Sequence, residues 1–161
     1  MPLNIAIDGP VGAGKSSIAK EVARRLGILH LDTGAMYRAL GYAALARGVD
    51  LQDEEALEKL SGKVALEVRY RGGMQQTLLD GEDVSGLIRT PQVGMAASAV
   101  SQFLAVRRGM VALQRKLALE TSMVVDGRDI GTNVLPGAGV KIFLTAAPGE
   151  RARRRHLELV Q

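Results

Sequence analysis

Gly9-Pro10-Val11-Gly12-Ala13-Gly14-Lys15-Ser16 carries the densest chemistry in this chain of 161 residues. The octet fits G-x-x-x-x-G-K-[ST], in which glycines let backbone N–H groups converge on phosphate oxygens without a Cβ in the way. Lys15 is then the candidate for point charge on the β- and γ-phosphates of a nucleotide. Ser16 is the candidate Mg²⁺ ligand, and Gly9 through Ser17 form the cradle. A second cluster is Gly127-Arg128-Asp129-Ile130-Gly131-Thr132, an Arg-Asp pair bracketed by glycines. The apolar run into Asp126 resembles a Walker-B strand. In open α/β sheets ligands bind at the carboxyl ends of strands, which suits this pair to ligand contact. The competing reading is a self-satisfied surface ion pair, worth little energetically. Arg38 is a third candidate. It falls in the first turns of a predicted helix, where a cation opposes the helix dipole. An anionic ligand holding it there and a plain solvated position both remain open.

Positioning the octet requires a strand before it and a helix after it. Leu3 to Asp8 reads as a buried parallel strand. Ser17 to Leu26 carries Ile18, Ala19, Val22, Ala23 and Leu26 at helical spacing, and Gly27 stands where a C-terminal cap belongs. The positive end of that helix completes an anion site. Ile28 to Leu31 predicts a second short buried strand, with His30 in a structural or edge position. Asp32-Thr33-Gly34 turns into a helix over about 35–47, stopped by Gly48. A short charged helix is expected over 53–61. Val64, Leu66, Val68 and Tyr70 then alternate with polar neighbours as a half-exposed strand. Gly72-Gly73 is a hairpin turn, residues 75–80 return, and residues 81–86 add a third short strand. Residues 63–86 thus predict a small antiparallel insert. Pro91 opens a helix that faces Val93, Ala96, Ala97 and Val100 to the core. A second helix follows with Val106, Met110, Leu113 and Leu117 inward and Arg107, Arg108, Arg115 and Lys116 outward. On pattern alone Ser98 and Arg107 are surface residues. Ser122 to Asp126 and Val140 to Thr145 predict two further parallel strands. Pro148 starts a last helix bearing Arg151, Arg153, Arg154 and Arg155.

Composition narrows the class. An apolar content of 47% with 24% charged residues is that of a globular protein with a real core. The chain has no cysteine, so disulfides and thiolate metal sites are excluded. No secretory leader pattern or membrane-length apolar run occurs, and a cytoplasmic location is the expectation. The net charge of +4 comes from 21 Lys+Arg against 17 Asp+Glu, and most of the cations are arginine, suited to bidentate grips on phosphate. The basic residues are scattered and aromatics are only 3%, too few for stacking single-stranded bases. No nucleic-acid or membrane partner is expected, and a monomer is.

GPVGAGKSS, LDTGAMYR, DGEDVSGLIRT, the Ala97-Ser98 helix, DGRDIGT and VKIFLTA stand in this order along the whole chain. In this the sequence resembles the bacterial cytidylate kinases, and DGEDVSG…IRT and DGRD-x-GT are specific to them among nucleoside monophosphate kinases. The resemblance implies a single P-loop α/β domain over 1–161, with a monophosphate-binding region at about 33–121 that includes the antiparallel insert. It implies ATP-dependent phosphorylation of CMP and dCMP, with Mg²⁺. Residue by residue, it implies that Gly9 to Ser17 hold ATP, that Arg38 and Arg128 grip the acceptor phosphate beside Lys15, and that Thr33 lies near the acceptor's sugar-phosphate end. Ser98, Arg107 and Asp129 match positions that read cytosine, whose 4-amino donor a carboxylate accepts. The family's chain continues into an arginine-bearing lid, a last parallel strand and a closing helix, none of which can be placed here. A polypeptide ending at Gln161 is therefore expected to be poorly stable and low in turnover. Other readings are a kinase for another monophosphate and a nucleotide-binding fragment without turnover. A GTPase is disfavoured by the lack of an Asn-Lys-x-Asp stretch.

Overall fold

Strands alternate with helices at both ends of the chain, and the middle carries helices and a small sheet. The computed structural model describes residues 1–161. In chain order the first elements are β1 (Asn4–Asp8), α1 (Lys15–Leu26), β2 (Leu29–Asp32) and α2 (Thr33–Ala46). Next come α3 (Glu54–Lys63), β3 (Leu66–Arg71), β4 (Met74–Leu79), β5 (Glu82–Asp83), α4 (Pro91–Val100) and α5 (Leu104–Glu120). The chain finishes with β6 (Met123–Gly127), a single π-helical turn (Ile130–Val134), β7 (Val140–Phe143) and α6 (Pro148–Leu159). Two compact units result, one from residues 1–32 with 117–161 and one from residues 33–116. No helix is long and apolar enough to cross a membrane.

The first unit holds the expected parallel sheet, in the order β2-β6-β1-β7. Ile5 pairs with Val124 on one side and Val140 on the other, and Asp8 with Gly127 and Phe143. Strand β1 is buried from Ile5 to Asp8 and β6 from Met123 to Asp126, which is why both read as apolar runs. Helix α1 sets Ala19 and Ala23 against Ile5, Ile7 and Val124, with Val22, Ile28 and Leu144 around them. Ile18 and Leu26, expected on that face, are exposed. At about 100° per residue Ile18 lies well round the helix from Ala19, and Leu26 is the last residue of the helix. Gly27 ends α1 in the left-handed conformation, its N–H bonded back to Ala23 and Arg24. Strand β7 lies on the sheet's edge with every residue exposed.

In the second unit α2 is apolar almost all round and is buried on most of its surface, from Thr33 to Ala44. It starts at Thr33, two residues earlier than predicted. Helix α4 packs closely on it, because Gly41 offers no side chain: a Cβ there would stand 2.8 Å from the Ala97 nitrogen. Asp53 caps α3 by accepting from the Ala56 N–H at 3.0 Å, and Thr90 caps α4 through Val93 at 3.2 Å. The predicted insert is a three-stranded antiparallel sheet, β3-β4-β5. Gly72 and Gly73, both at positive φ, form the two-residue turn between Arg71 and Met74. Helix α5 buries Val106 and Met110 as expected, leaves Leu113 and Leu117 half-buried, and buries Val111, Gln114 and Ala118 as well.

Candidate nucleotide-phosphate site

The loop between β1 and α1 is built for close backbone approach. Gly9 has φ 150°, and a Cβ on it would lie 2.0 Å from the Leu144 carbonyl oxygen, so no other residue fits. Gly14 opens α1 at φ 90° and ψ 19°, and no side chain caps that end. The first N–H groups of α1 therefore face whatever the loop encloses. Lys15 donates from Nζ to the Pro10 carbonyl at 3.2 Å. Ser16 is half-buried in the first turn of α1, and Ser17 is exposed. Beside the loop is a cleft of about 560 Å³ lined by Gly9, Pro10, Val11, Arg128, Phe143, Thr145 and Arg151.

Three carboxylates and one guanidinium set the electrostatics around Lys15. Burial pulls its ammonium below the ordinary value, Asp126 opposes that most strongly, Arg128 adds to it, and Asp32 and Asp8 oppose it. Asp126 is itself pushed upward, chiefly by burial, while a hydrogen bond from His30 works the other way. His30 Nε2 and Asp126 Oδ2 are bonded directly, both side chains being buried. His30 is thus a structural, interior residue, one of the two positions expected for it.

Strand β6 delivers Arg128 and Asp129 at its carboxyl end. Arg128 is exposed and lines the cleft. Asp129 is half-buried, and its carboxylate accepts from Asn133 Nδ2 at 3.2 Å. The π-helical turn then begins, a geometry that sequence periodicity does not reveal. Asp8, at the end of β1, accepts from the Ile130 N–H at 2.7 Å and from the Gly131 N–H at 2.8 Å. Asp8 was not among the candidate residues. The arginines of α6 are also nearer the loop than their sequence suggested. Arg154 donates to the Gly12 carbonyl at 3.1 Å, and a Cβ on Gly12 would meet Arg151 at 3.1 Å. Glu150 bonds both Arg153 and Arg154, which hold its carboxyl down to about 2.

The second unit carries the other candidates. Arg38, half-buried on α2, donates to the Ile88 carbonyl at 2.9 Å. Its guanidinium also lies against the first turn of α4, 3.1 Å from where a Gly94 Cβ would be. It is therefore not the freely solvated arginine that pattern alone allowed. Ser98 is one turn further along α4, exposed, with its hydroxyl donating to the Gly94 carbonyl at 3.2 Å. Thr33 is buried at the start of α2, and Arg107 is half-buried on α5. Arg38, Gly94 and Ser98 thus gather where α2 meets α4, whereas Lys15, Arg128 and Asp129 gather around the end of β6.

A parallel sheet whose first strand ends in a phosphate-binding loop, with a half-buried lysine beside carboxylates and a strand-end arginine, defines a P-loop α/β nucleotide-binding protein. The family model described as cytidylate kinase matches residues 5–161. A cytidylate kinase from Shouchella clausii is 52% identical over 158 residues, which are 98% of this chain and 70% of that protein. One from Geobacillus thermodenitrificans is 54% identical over 154 residues, 96% of this chain and 69% of the relative. One from Caldicellulosiruptor bescii is 49% identical over 159 residues, 99% and 70% of the two chains. The chain belongs to the cytidylate kinase family, and it spans about 70% of the length of these relatives.

Proposed function

We infer that this member of the cytidylate kinase family phosphorylates CMP and dCMP with ATP as donor. The observation that supports this most directly is the loop at Gly9–Ser17, with half-buried Lys15 set among Asp126, Asp32 and Asp8, in a chain matched by the family model from residue 5 to 161. In this reading Gly9 to Ser17 cradle the ATP phosphates with backbone N–H groups and the positive end of α1. Lys15 sits on the β- and γ-phosphates. Arg128 and Arg38 hold the acceptor phosphate, whose attacking oxygen is already anionic, so no general base is needed. Catalysis is then alignment of two phosphates and neutralisation of the charge between them. Thr33 serves the acceptor's sugar-phosphate end, and Ser98, Arg107 and Asp129 read the cytosine, with the Asp129 carboxylate accepting from the 4-amino group.

The oxygen donors present suit Mg²⁺, a hard cation that takes few protein ligands and keeps phosphate and water oxygens for the rest. The Ser16 hydroxyl, in the first turn of α1 and next in the chain to Lys15, would hold it. Its chemistry there is neutralisation of phosphate charge. The protein works in this reading as a cytoplasmic monomer on free nucleotides, and residues 33–121 form its monophosphate-binding region.

The deciding experiment is a coupled assay in the full-length protein with CMP, dCMP, UMP, dTMP and AMP as acceptors, repeated on Asp129→Ala. CMP and dCMP should dominate. UMP presents a carbonyl where CMP has an amino group, a buried mismatch that costs about 1–3 kcal/mol, or roughly ten- to a hundredfold in discrimination. Asp129→Ala should lose CMP turnover far more than UMP turnover. Equal losses would remove Asp129 from base reading, and preference for another monophosphate would overturn the acceptor assignment.

A further inference from the structure

The Asp8 carboxylate is buried, with 8% of the residue exposed, and it makes a two-pronged contact with backbone 122 and 123 residues away. Oδ1 takes the Ile130 N–H at 2.7 Å and Oδ2 the Gly131 N–H at 2.8 Å. Charge-assisted bonds of this kind are about twice as strong as neutral ones. Those two amides open the π-helical turn that follows Arg128 and Asp129 directly. The main chain of Asp8 is pinned as well: its carbonyl accepts from the Leu144 N–H at 2.7 Å. Its next neighbour is Gly9, the first residue of the phosphate loop, whose own space is closed by the Leu144 carbonyl. A single residue thus joins the loop to the strand-end segment bearing Arg128 and Asp129. A hydrophobic residue there would serve the strand equally well, but would leave two buried N–H groups without partners.

We propose that Asp8 is a positioning residue that fixes Arg128 and Asp129 relative to the phosphate loop, and so sets both acceptor affinity and base selectivity without touching either nucleotide. This rests on the reading of Arg128 and Asp129 as acceptor-binding residues. Asp8→Asn has nearly the same shape, but its amide group presents one NH₂ to a backbone donor, so only one of the two bonds survives. The carboxylate's grip on the turn is then halved, and the pairing of Gly127 with Asp8 and the turn's own backbone bonds are left to hold it. The ATP cradle, formed by residues after Asp8 and by the start of α1, keeps its own bonds.

The test is steady-state kinetics of the full-length protein as Asp8→Asn, Asp129→Ala, Arg128→Ala and the two doubles, with ATP, CMP and UMP each varied. The expected result for Asp8→Asn is a rise of about tenfold or more in KM for CMP, with a clearly smaller change in KM for ATP, since Asp8 is the weakest of the carboxylates that offset the burial of Lys15. Its CMP-over-UMP preference should fall toward that of Asp129→Ala, and the double should be no less selective than Asp129→Ala alone. A merely structural role would lower the melting temperature and weaken both nucleotides alike, or give selectivity losses that multiply in the double; either result overturns the proposal. If Asp129→Ala leaves selectivity unchanged, the base-reading assignment fails on its own. The Asp8–Arg128 double then decides the proposal through KM for CMP, with multiplying losses against it and overlapping losses for it. Should Asp8→Asn not fold, Asp8→Glu replaces it. It keeps the charge, but its extra methylene moves the carboxylate out of register with the paired Ile130 and Gly131 N–H groups. The same pattern is expected at smaller size, and a KM for CMP unchanged from the parent would count against the proposal.

Discussion

Lys15 is held in a setting that makes its charge expensive in the resting protein and useful during transfer. Burial works against the ammonium, and Asp126, Asp32 and Asp8 offset that burial. A half-buried cation that is already desolvated needs little rearrangement to meet developing charge on a phosphoryl group. Lys15→Ala should therefore cut turnover by about two to three orders of magnitude, with a melting temperature close to the parent because no packed methylene cluster is lost. Near-normal turnover in that variant would take the loop out of the mechanism. The loop itself could be read from the sequence, since its residue types are local and each has one task. Two other members of the same site could not. His30 meets Asp126 across 96 residues and Asp8 meets Ile130 across 122. Each lies in a short apolar strand whose pattern says only that it is buried. Knowing that β2 and β1 both flank β6 is what brings those side chains to their partners.

At the scale of elements, packing distances decide which substitutions matter. Gly41 lies mid-helix in α2, where alanine would ordinarily gain about 1 kcal/mol in propensity. Here the added Cβ would stand 2.8 Å from the Ala97 nitrogen and 3.0 Å from the Ala96 carbonyl carbon, both backbone atoms that cannot swing aside. Forced separation of packed elements costs about 1–3 kcal/mol, so Gly41→Ala should destabilise on balance. Urea unfolding would show a lower midpoint, and a raised one would mean that α4 yields freely. Arg38 and Ser98 lie at the same helix pair, so KM for CMP should rise with the destabilisation. The hairpin is secured differently. Asp80, at φ 52°, accepts from the Ala65 N–H at 2.8 Å and from Arg47 at 2.6 Å. The Ala65 N–H, helped by Arg47, lowers its pKa from the ordinary 3.8. A folded-state value below the unfolded one means stability present above about pH 4 and lost as pH falls through the lowered value. Asp80→Asn tolerates the same left-handed backbone, so it isolates the charge. Its melting temperature should lie below the parent at pH 7, and the gap should close as pH falls through the lowered Asp80 value. A gap that persists there would assign the effect to geometry.

Over the whole chain, 21 Lys+Arg face 17 Asp+Glu, and the excess is not spread evenly with respect to function. Arg128 and Arg151 line the cleft beside the loop, Arg154 reaches the Gly12 carbonyl, and Lys15 stands inside the loop. Several other cations are spent locally: Arg24 and Arg25 bond Glu21, Arg153 bonds Glu150, and Arg155 bonds Glu158, all within one helical turn. Exposed pairs of that kind contribute little to stability, whereas Arg128 and Arg151 put two cations on the lining of the cleft. A polyanionic nucleotide should then be drawn in by a field that added salt screens, since the Debye length shrinks from about 10 Å at 0.1 M to about 3 Å at 1 M. Half-buried Lys15 and the backbone N–H groups of the loop act at contact distance and are screened much less. The two effects separate in kinetics. Raising potassium chloride from about 0.05 to 0.5 M should raise KM for ATP several-fold while kcat changes by less than about twofold. Glycine betaine at equal osmolality should leave both alone. A KM indifferent to chloride would mean that short-range contacts alone bind the donor. A kcat that falls in step with affinity would mean that screening reaches the transferring phosphate, and that the loop is more open to solvent than the burial of Lys15 implies.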